Sequence, residues 1–329
     1  MREMTMKKAI SNTGRFLAPI ALLMWLAATA FAAAPGITGG TTAGTATFNL
    51  TAQQAFLNQP DGEAVYSWGY GCNGTPAGFA PALPNQVCNS MQVPGPTLIV
   101  HENDVVTVNL LNGLPPAAGN TSILFPGFNV CAATLNTSTG ACTGTPTGVT
   151  GLLTQEAAPG SSVTYTFTAS APGTHAYYSG TQGDLQVEMG LYGAVIVLPA
   201  SVPANCNAGY HALNVTAQGT GSLAHPGVQE TDFRLAHAAY DHPASCYDRE
   251  YLFQWAEMDS RIHRQAQAQV AARANCAAGA PGCSLDVQTE PYHPAYFLIN
   301  GRSMPPHGPQ LCRRVSAPAL QRQPAHASG

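Results

Sequence analysis

The sequence predicts an all-β protein, a Greek-key β-sandwich, on three observations. Apolar and polar residues alternate with a period of two: Val106, Val108 and Leu110 against Val105, Thr107 and Asn109, then Val163, Tyr165 and Phe167 against Ser162, Thr164 and Thr166. Such a period marks strands rather than helices. Turn formers such as Pro94, Gly95, Pro96, Gly113, Pro159, Gly160, Pro172 and Gly173 fall between the runs. The composition agrees, with 33 glycines and 26 prolines in 329 residues and only 9% charged side chains. Several short strands joined by turns are the material of a sandwich.

Taken in order, residues 1–34 read as a cleavable secretory leader. Arg2, Lys7, Lys8 and Arg15 form its basic start, residues 16–30 an apolar run, and Ala30, Phe31 and Ala32 a cleavage site. The run is short for a bilayer span, and no other stretch is long and apolar enough to cross. Export to the periplasm or beyond is expected, with no membrane attachment after cleavage. The whole chain carries a formal charge of −4. The leader takes four basic residues and Glu3, leaving nine basic and sixteen acidic residues and a net charge of −7. An acidic chain without a basic stripe is a poor nucleic-acid binder.

Residues 45–57 and 63–68 are two early strands of a domain spanning 45–199. Residues 72–88 form a Gly/Pro-rich loop, and a second long loop lies between Phe128 and Gly151. Residues 200–246 read as a linker rich in Ala, Gly and His. A strand over 249–258 opens a second unit, 247–305, in which Asp259 caps a helix reaching Ala274. Its apolar stripe of Ile262, Ala266 and Val270 is thin.

Nine cysteines fit an oxidising compartment. Eight fall into loops as neighbouring twos, so sequential pairing is expected: Cys72 with Cys88, Cys131 with Cys142, Cys206 with Cys246, Cys276 with Cys283. No C-x-x-C occurs to favour a metal instead. Cys312 is left over.

Five motifs in the region 93–199 carry a resemblance. They are P-G-P-T-L-I-V-H-E-N-D from Pro94, T-S-I-L-F-P-G from Thr121, P-G-S-S-V-T-Y-T-F from Pro159, G-T-H-A-Y-Y-S-G from Gly173, and G-L-Y-G-A-V-I-V from Gly190. In order and spacing they resemble the first cupredoxin (plastocyanin-like) domain of a multicopper oxidase. The resemblance implies a cupredoxin sandwich, copper as cofactor and oxidoreductase chemistry, with further cupredoxin domains as partners. Where that family has H-W-H, this chain has Leu124, Phe125 and Pro126; where it has H-S-H, this chain has Tyr178, Ser179 and Gly180. A His-x-His pair on a strand sends both imidazoles to one face, where they can hold neighbouring coppers. In the family, two such pairs from the first domain and two from the last hold a trinuclear centre that reduces dioxygen.

Leu124 offers hydrocarbon, Pro126 no donor and Gly180 no side chain. Tyr178 offers a phenol, and a free phenol titrates near ~10, too high for a good copper ligand at neutral pH. The expectation is that the scaffold is kept while no metal is bound here. The bland reading of the same residues is packing, with Leu124 and Phe125 in a core and Tyr177–Tyr178 as an aromatic strand pair. Among the histidines, His175 beside the vacated pair is the weak candidate ligand; His101, His263 and His293 are isolated. A site of His237, His242 and Cys246 has irregular spacing, and a disulfide is the better use of Cys246.

Tyr296-Phe-Leu-Ile-Asn-Gly resembles the F-L-x-N-G stretch of the family's second domain, followed by a loop. There the resemblance stops. Residues 306–329 have no periodicity, bear Arg313, Arg314 and Arg322, and read as an out-of-frame tail that cuts the second cupredoxin domain short. The family's H-C-H motif is absent from this chain. Catalysis by this polypeptide alone is therefore not expected, and a copper-free structural or binding module is the alternative to an oxidase by ancestry.

Overall fold

The structure, a computed structural model, describes residues 36–40, 44–82, 85–206, 235–247, 250–277 and 280–303. The leader, most of the 200–246 linker with His211 and His225, and the tail with Cys312 lie outside the described residues.

The strands are β1 (Gly36–Thr38), β2 (Thr45–Asn58), β3 (Ala64–Cys72), β4 (Gly78–Ala80), β5 (Leu98–His101) and β6 (Val105–Asn112), then the two-residue strands β7 (Thr134–Leu135), β8 (Cys142–Thr143), β9 (Val149–Thr150) and β10 (Gln155–Glu156). They continue with β11 (Ser162–Thr168), β12 (Gly173–Tyr178), β13 (Tyr192–Leu198), β14 (Trp255–Met258), β15 (Tyr296–Ile299) and β16 (Arg302–Ser303). One sheet runs β12-β13-β5-β1-β4 and the facing sheet β11-β6-β2-β3. Parallel pairs (β13 with β5, β5 with β1, β2 with β6) are flanked by antiparallel ones, so the chain crosses repeatedly between sheets. This is a Greek-key sandwich.

The period-two runs face as their pattern dictates. Val106, Val108 and Leu110 on β6 and Val163, Tyr165 and Phe167 on β11 are all buried, while their alternates are not. Beside them in the same sheet lie Phe48 and Leu50 from β2, and Leu98 from β5 comes from the facing sheet. Each such side chain removed from water contributes about 1.5–3 kcal/mol. Several pieces were not foreseen, and β4 and β7 to β9 fall inside stretches read as loops. β1 begins the sandwich before residue 45, too short to show a period. The short helix Gly183–Glu188 leads into β13.

β3 departs from alternation because both its faces are covered. Trp68 and Tyr70 enter the sandwich core. Val65 joins Met258 and Leu298 of the three-stranded sheet β14-β15-β16. The long helix Ser260–Ala272 packs there too, burying Ile262, His263 and Ala266. His263 is fully enclosed, with Nδ1 2.6 Å from the Tyr66 carbonyl oxygen. A carbonyl can only accept, so Nδ1 carries the hydrogen. The strand expected over 249–258 pairs only from Trp255, and the helix ends at Ala272 rather than Ala274. The Asn-Gly pair makes a hairpin turn between β15 and β16, with φ of 51° at Asn300 and 73° at Gly301.

The four disulfides join Cys72–Cys88, Cys131–Cys142, Cys206–Cys246 and Cys276–Cys283, with Cα separations of 5.7, 5.5, 5.1 and 5.7 Å. They fit a secreted protein. No helix among the described residues is long and apolar enough to cross a membrane.

Asp259 caps the long helix, its Oδ1 accepting from Arg261 N at 2.9 Å. Its Oδ2 accepts from His293 N at 2.9 Å and Arg261 Nη2 at 3.2 Å. Burial pushes this carboxyl up, but those donors and the Arg261 charge outweigh it and hold it below the ordinary range. The stabilisation is present above the unfolded-state pKa of about 3.9 and is lost as pH falls through the lower folded value. Asp259→Ala should cost about 1 kcal/mol at neutral pH, read by denaturant unfolding. Asp259→Asn should keep the cap but flatten the acid dependence of amide protection in this helix.

Candidate functional site: a repacked sheet edge

The positions singled out by sequence converge. Leu124 and Tyr178 pair directly across two antiparallel segments, Leu124 N donating to Tyr178 O at 2.7 Å and Tyr178 N to Leu124 O at 3.2 Å. Side chains two residues apart on extended backbone share a face. Phe125, Tyr177 and Ser179 turn inward and are buried, whereas Leu124, Tyr178 and Gly180 are half-buried and Pro126 is exposed. Leu124, Tyr178 and Gly180 thus lie together at one sheet edge, and Pro126 begins the turn beside it.

What fills the edge is hydrocarbon. A Cβ built on Gly180 would lie 2.8 Å from Leu124 Cγ and 3.0 Å from its Cδ2. The leucine therefore occupies the volume that a side chain at 180 would need. Behind it, the Phe125 ring packs against Phe167 at 4.9 Å, Tyr165 at 6.0 Å and Tyr177 at 6.0 Å.

Three phenols hold these segments from inside. Tyr70 donates to Ser122 O at 2.6 Å, Tyr165 to Gln155 O at 2.6 Å and Tyr177 to Pro96 O at 2.7 Å. Burial pushes all three well above the ordinary tyrosine range, which keeps them protonated as donors. Tyr177 fits because position 193 is glycine: a Cβ there would run into its ring.

A polar network that sequence reasoning missed completes the frame. Thr121 Oγ1 and Ser179 Oγ donate to Gln186 Oε1 at 2.8 and 2.7 Å, and Gln186 Nε2 donates to Asn120 O at 2.8 Å. Thr181 Oγ1 donates to Glu156 Oε1 at 2.8 Å, and Asn120 Nδ2 to Glu156 Oε2 at 3.0 Å. Gln186, Ser179 and Thr121 are almost fully buried. The members are scattered along the chain and belong to no local motif; only the polar residues Asn120, Thr121, Ser122, Ser179 and Thr181 hint at them.

The other candidates do not join this edge. His175 lies on the opposite face of β12 from Tyr178, its ring against Phe128 at 4.5 Å and its Nε2 3.3 Å from Ala171 O. That carbonyl takes the Nε2 hydrogen. His101 is exposed beside Asp104 at 3.8 Å, and His263 is buried under β3. His293 meets Asp259 through its backbone. Cys246 is tied to Cys206, so its sulfur is not a ligand beside His237 and His242. Among the described residues, no group of three or more His, Cys, Asp or Glu is placed to hold a metal. The donor set at Leu124, Pro126, Tyr178 and Gly180 does not fit a copper ion: one phenol oxygen is the only side-chain donor.

Residues 84–201 match the family described as multicopper oxidase. A multicopper oxidase of Talaromyces pinophilus is 36% identical over 110 residues, which are 33% of this chain and 15% of that protein. Among solved structures, the multicopper oxidase mgLAC aligns at 19% identity with a TM-score of 0.42, over 79% of this chain and 54% of that one. The multicopper oxidase of Pseudomonas thermotolerans aligns at 20% identity with a TM-score of 0.36, over 50% and 32%. The matched segment thus spans only a small part of the curated relative's length. The sandwich is cupredoxin-like, and its residues 84–201 are similar to the multicopper oxidase family.

Proposed function

We propose that this chain is an exported, multicopper-oxidase-type cupredoxin module that holds no copper at its family edge and does not reduce dioxygen on its own. The observation that carries this is the interlock of Leu124 with Gly180. Four-electron reduction of dioxygen needs imidazole nitrogens at that edge, and a leucine side chain occupies the space of one of them. The polar network and the buried phenols support the same reading, because they brace the edge without a metal. The −7 charge of the leaderless chain speaks against nucleic acid as a partner; further cupredoxin domains are the partners the family pattern suggests.

The match to the multicopper oxidase family favours a second reading, an oxidoreductase by ancestry. In it, copper and reductant sites come from cupredoxin domains beyond this chain, and this module contributes scaffold. Both readings give the isolated chain the same behaviour.

Purified chain incubated with excess copper and then desalted should retain about zero copper per chain and show no intense blue absorption. Stoichiometric copper lost on changing Leu124 or Tyr178 would overturn the proposal. Packing at the edge has its own test. Gly180→Ala should cost roughly 1–3 kcal/mol by overpacking against Leu124. The double variant with Leu124→Ala should recover part of that cost, giving a measurable coupling in denaturant unfolding. Additivity to within about 0.5 kcal/mol would mean the two positions do not interlock.

A further inference from the structure

Two turns from separate parts of the chain face one another, the 93–97 turn of the P-G-P-T motif and the Asn300–Gly301 turn between β15 and β16. Their approach is close enough that a Cβ on Gly301 would collide with the Val93 carbonyl. Beside this contact lies a cavity of ≈ 430 Å³, within the range of small-molecule sites. None of its described lining residues carries a charge. Its polar groups are mainly the side-chain amides of Asn89, Gln92, Gln254 and Asn300, and its apolar ones include Phe79 and Leu252.

Both walls are fixed before any ligand arrives. The near wall is held to β3 by the Cys72–Cys88 disulfide, by Cys72 N donating to Asn89 O at 2.8 Å and by Gln92 N donating to Tyr70 O at 3.2 Å. On the far wall Asn300 Nδ2 donates to Leu252 O and Gln254 N to Asn300 Oδ1, both at 2.8 Å. Asn300 is thereby a brace. The side-chain amides of Asn89 and Gln254 make no hydrogen bond to another described residue. Gln92 uses its Nε2 on Pro94 O at 3.2 Å, which leaves its side-chain oxygen as an acceptor.

We propose that this cavity binds a neutral, hydroxyl-rich ligand of the saccharide class. Free primary amides offer a donor and an acceptor side by side, which matches vicinal hydroxyls. Half-buried Phe79 offers a ring for the apolar C–H face of a sugar. A charged ligand would shed its hydration with no counter-charge to meet it. A purely apolar ligand would leave the amides unpaired.

The test uses the full chain with maltotriose and cellotriose as probes and a capped tetra-alanine peptide as comparison, read by calorimetry and NMR shifts. One of the saccharides should bind, with an affinity unchanged over about a tenfold rise in salt. Gln254→Ala should weaken binding roughly fivefold to tenfold, as loss of one or two hydrogen bonds does. Asn89→Ala, at an exposed position, should act likewise and gives a second reading if the first variant folds poorly. The proposal is overturned if neither sugar binds, if the variants bind as well as the parent chain, or if the peptide binds in preference.

Discussion

The edge at Leu124 and Tyr178 stands on buried phenols that donate to backbone carbonyls. Tyr70, Tyr165 and Tyr177 each cross the core to tie one segment to another, at 2.6–2.7 Å, and each is too deeply buried to ionise. A buried hydroxyl left unpaired would cost about 1–3 kcal/mol, so each bond fixes where its partner carbonyl must lie. Pro96, Ser122 and Gln155 are those partners, the first two in connections between strands and the third in the short strand β10. The position of the outward-facing residues follows from this inner scaffold. Metal ligation is not needed to keep the two segments in register, since the backbone bridge and the Gln186 network do so.

The legibility of the fold follows the physics of exposure. β6 and β11 have one wet face and one dry face, and their alternation is plain in the residues. β3 is dry on both faces, so its alternation is one of size and not of polarity, with Tyr66, Trp68 and Tyr70 against Ser67, Gly69 and Gly71. The cover on its outer face arrives from residues nearly two hundred positions later, in the helix bearing Ile262 and His263. No local pattern can announce a partner so distant. The same holds for His263, which reads as an isolated helical histidine and turns out to be wholly enclosed. The helix itself was readable, because Asp259 is a local cap whose geometry depends on the next few residues.

At the edge, the positions 124 and 178 were legible because the motifs that hold them read as extended segments. Their mutual contact was not, since nothing in a one-dimensional pattern says that Leu124 lies over Gly180. The network through Gln186 and Glu156 was hidden for a related reason. Its residues are ordinary Ser, Thr, Asn and Gln, each common in a loop, and only their convergence makes them a unit. Cysteine pairing was simpler to read for Cys72–Cys88, Cys131–Cys142 and Cys276–Cys283, because cysteines 7 to 16 residues apart are kept close by the chain itself.

The contact between Leu124 and Gly180 also constrains how such an edge can be built. A side chain at 180 with leucine at 124 meets carbon at less than ordinary van der Waals separation. Removing the leucine while keeping glycine leaves a void beside the Phe125 cluster. Either half-step costs a few kcal/mol, against a total stability of about 5–15 kcal/mol for a typical domain. The two residues therefore behave as one packing unit, and placing imidazoles there one at a time would meet the same barrier. A single histidine at 124 or 180 would offer one nitrogen donor to a metal and would still disturb the packing. Any exchange of side chains at this edge is thus a change of packing as much as a change of chemistry, and it is accommodated only by altering both segments together.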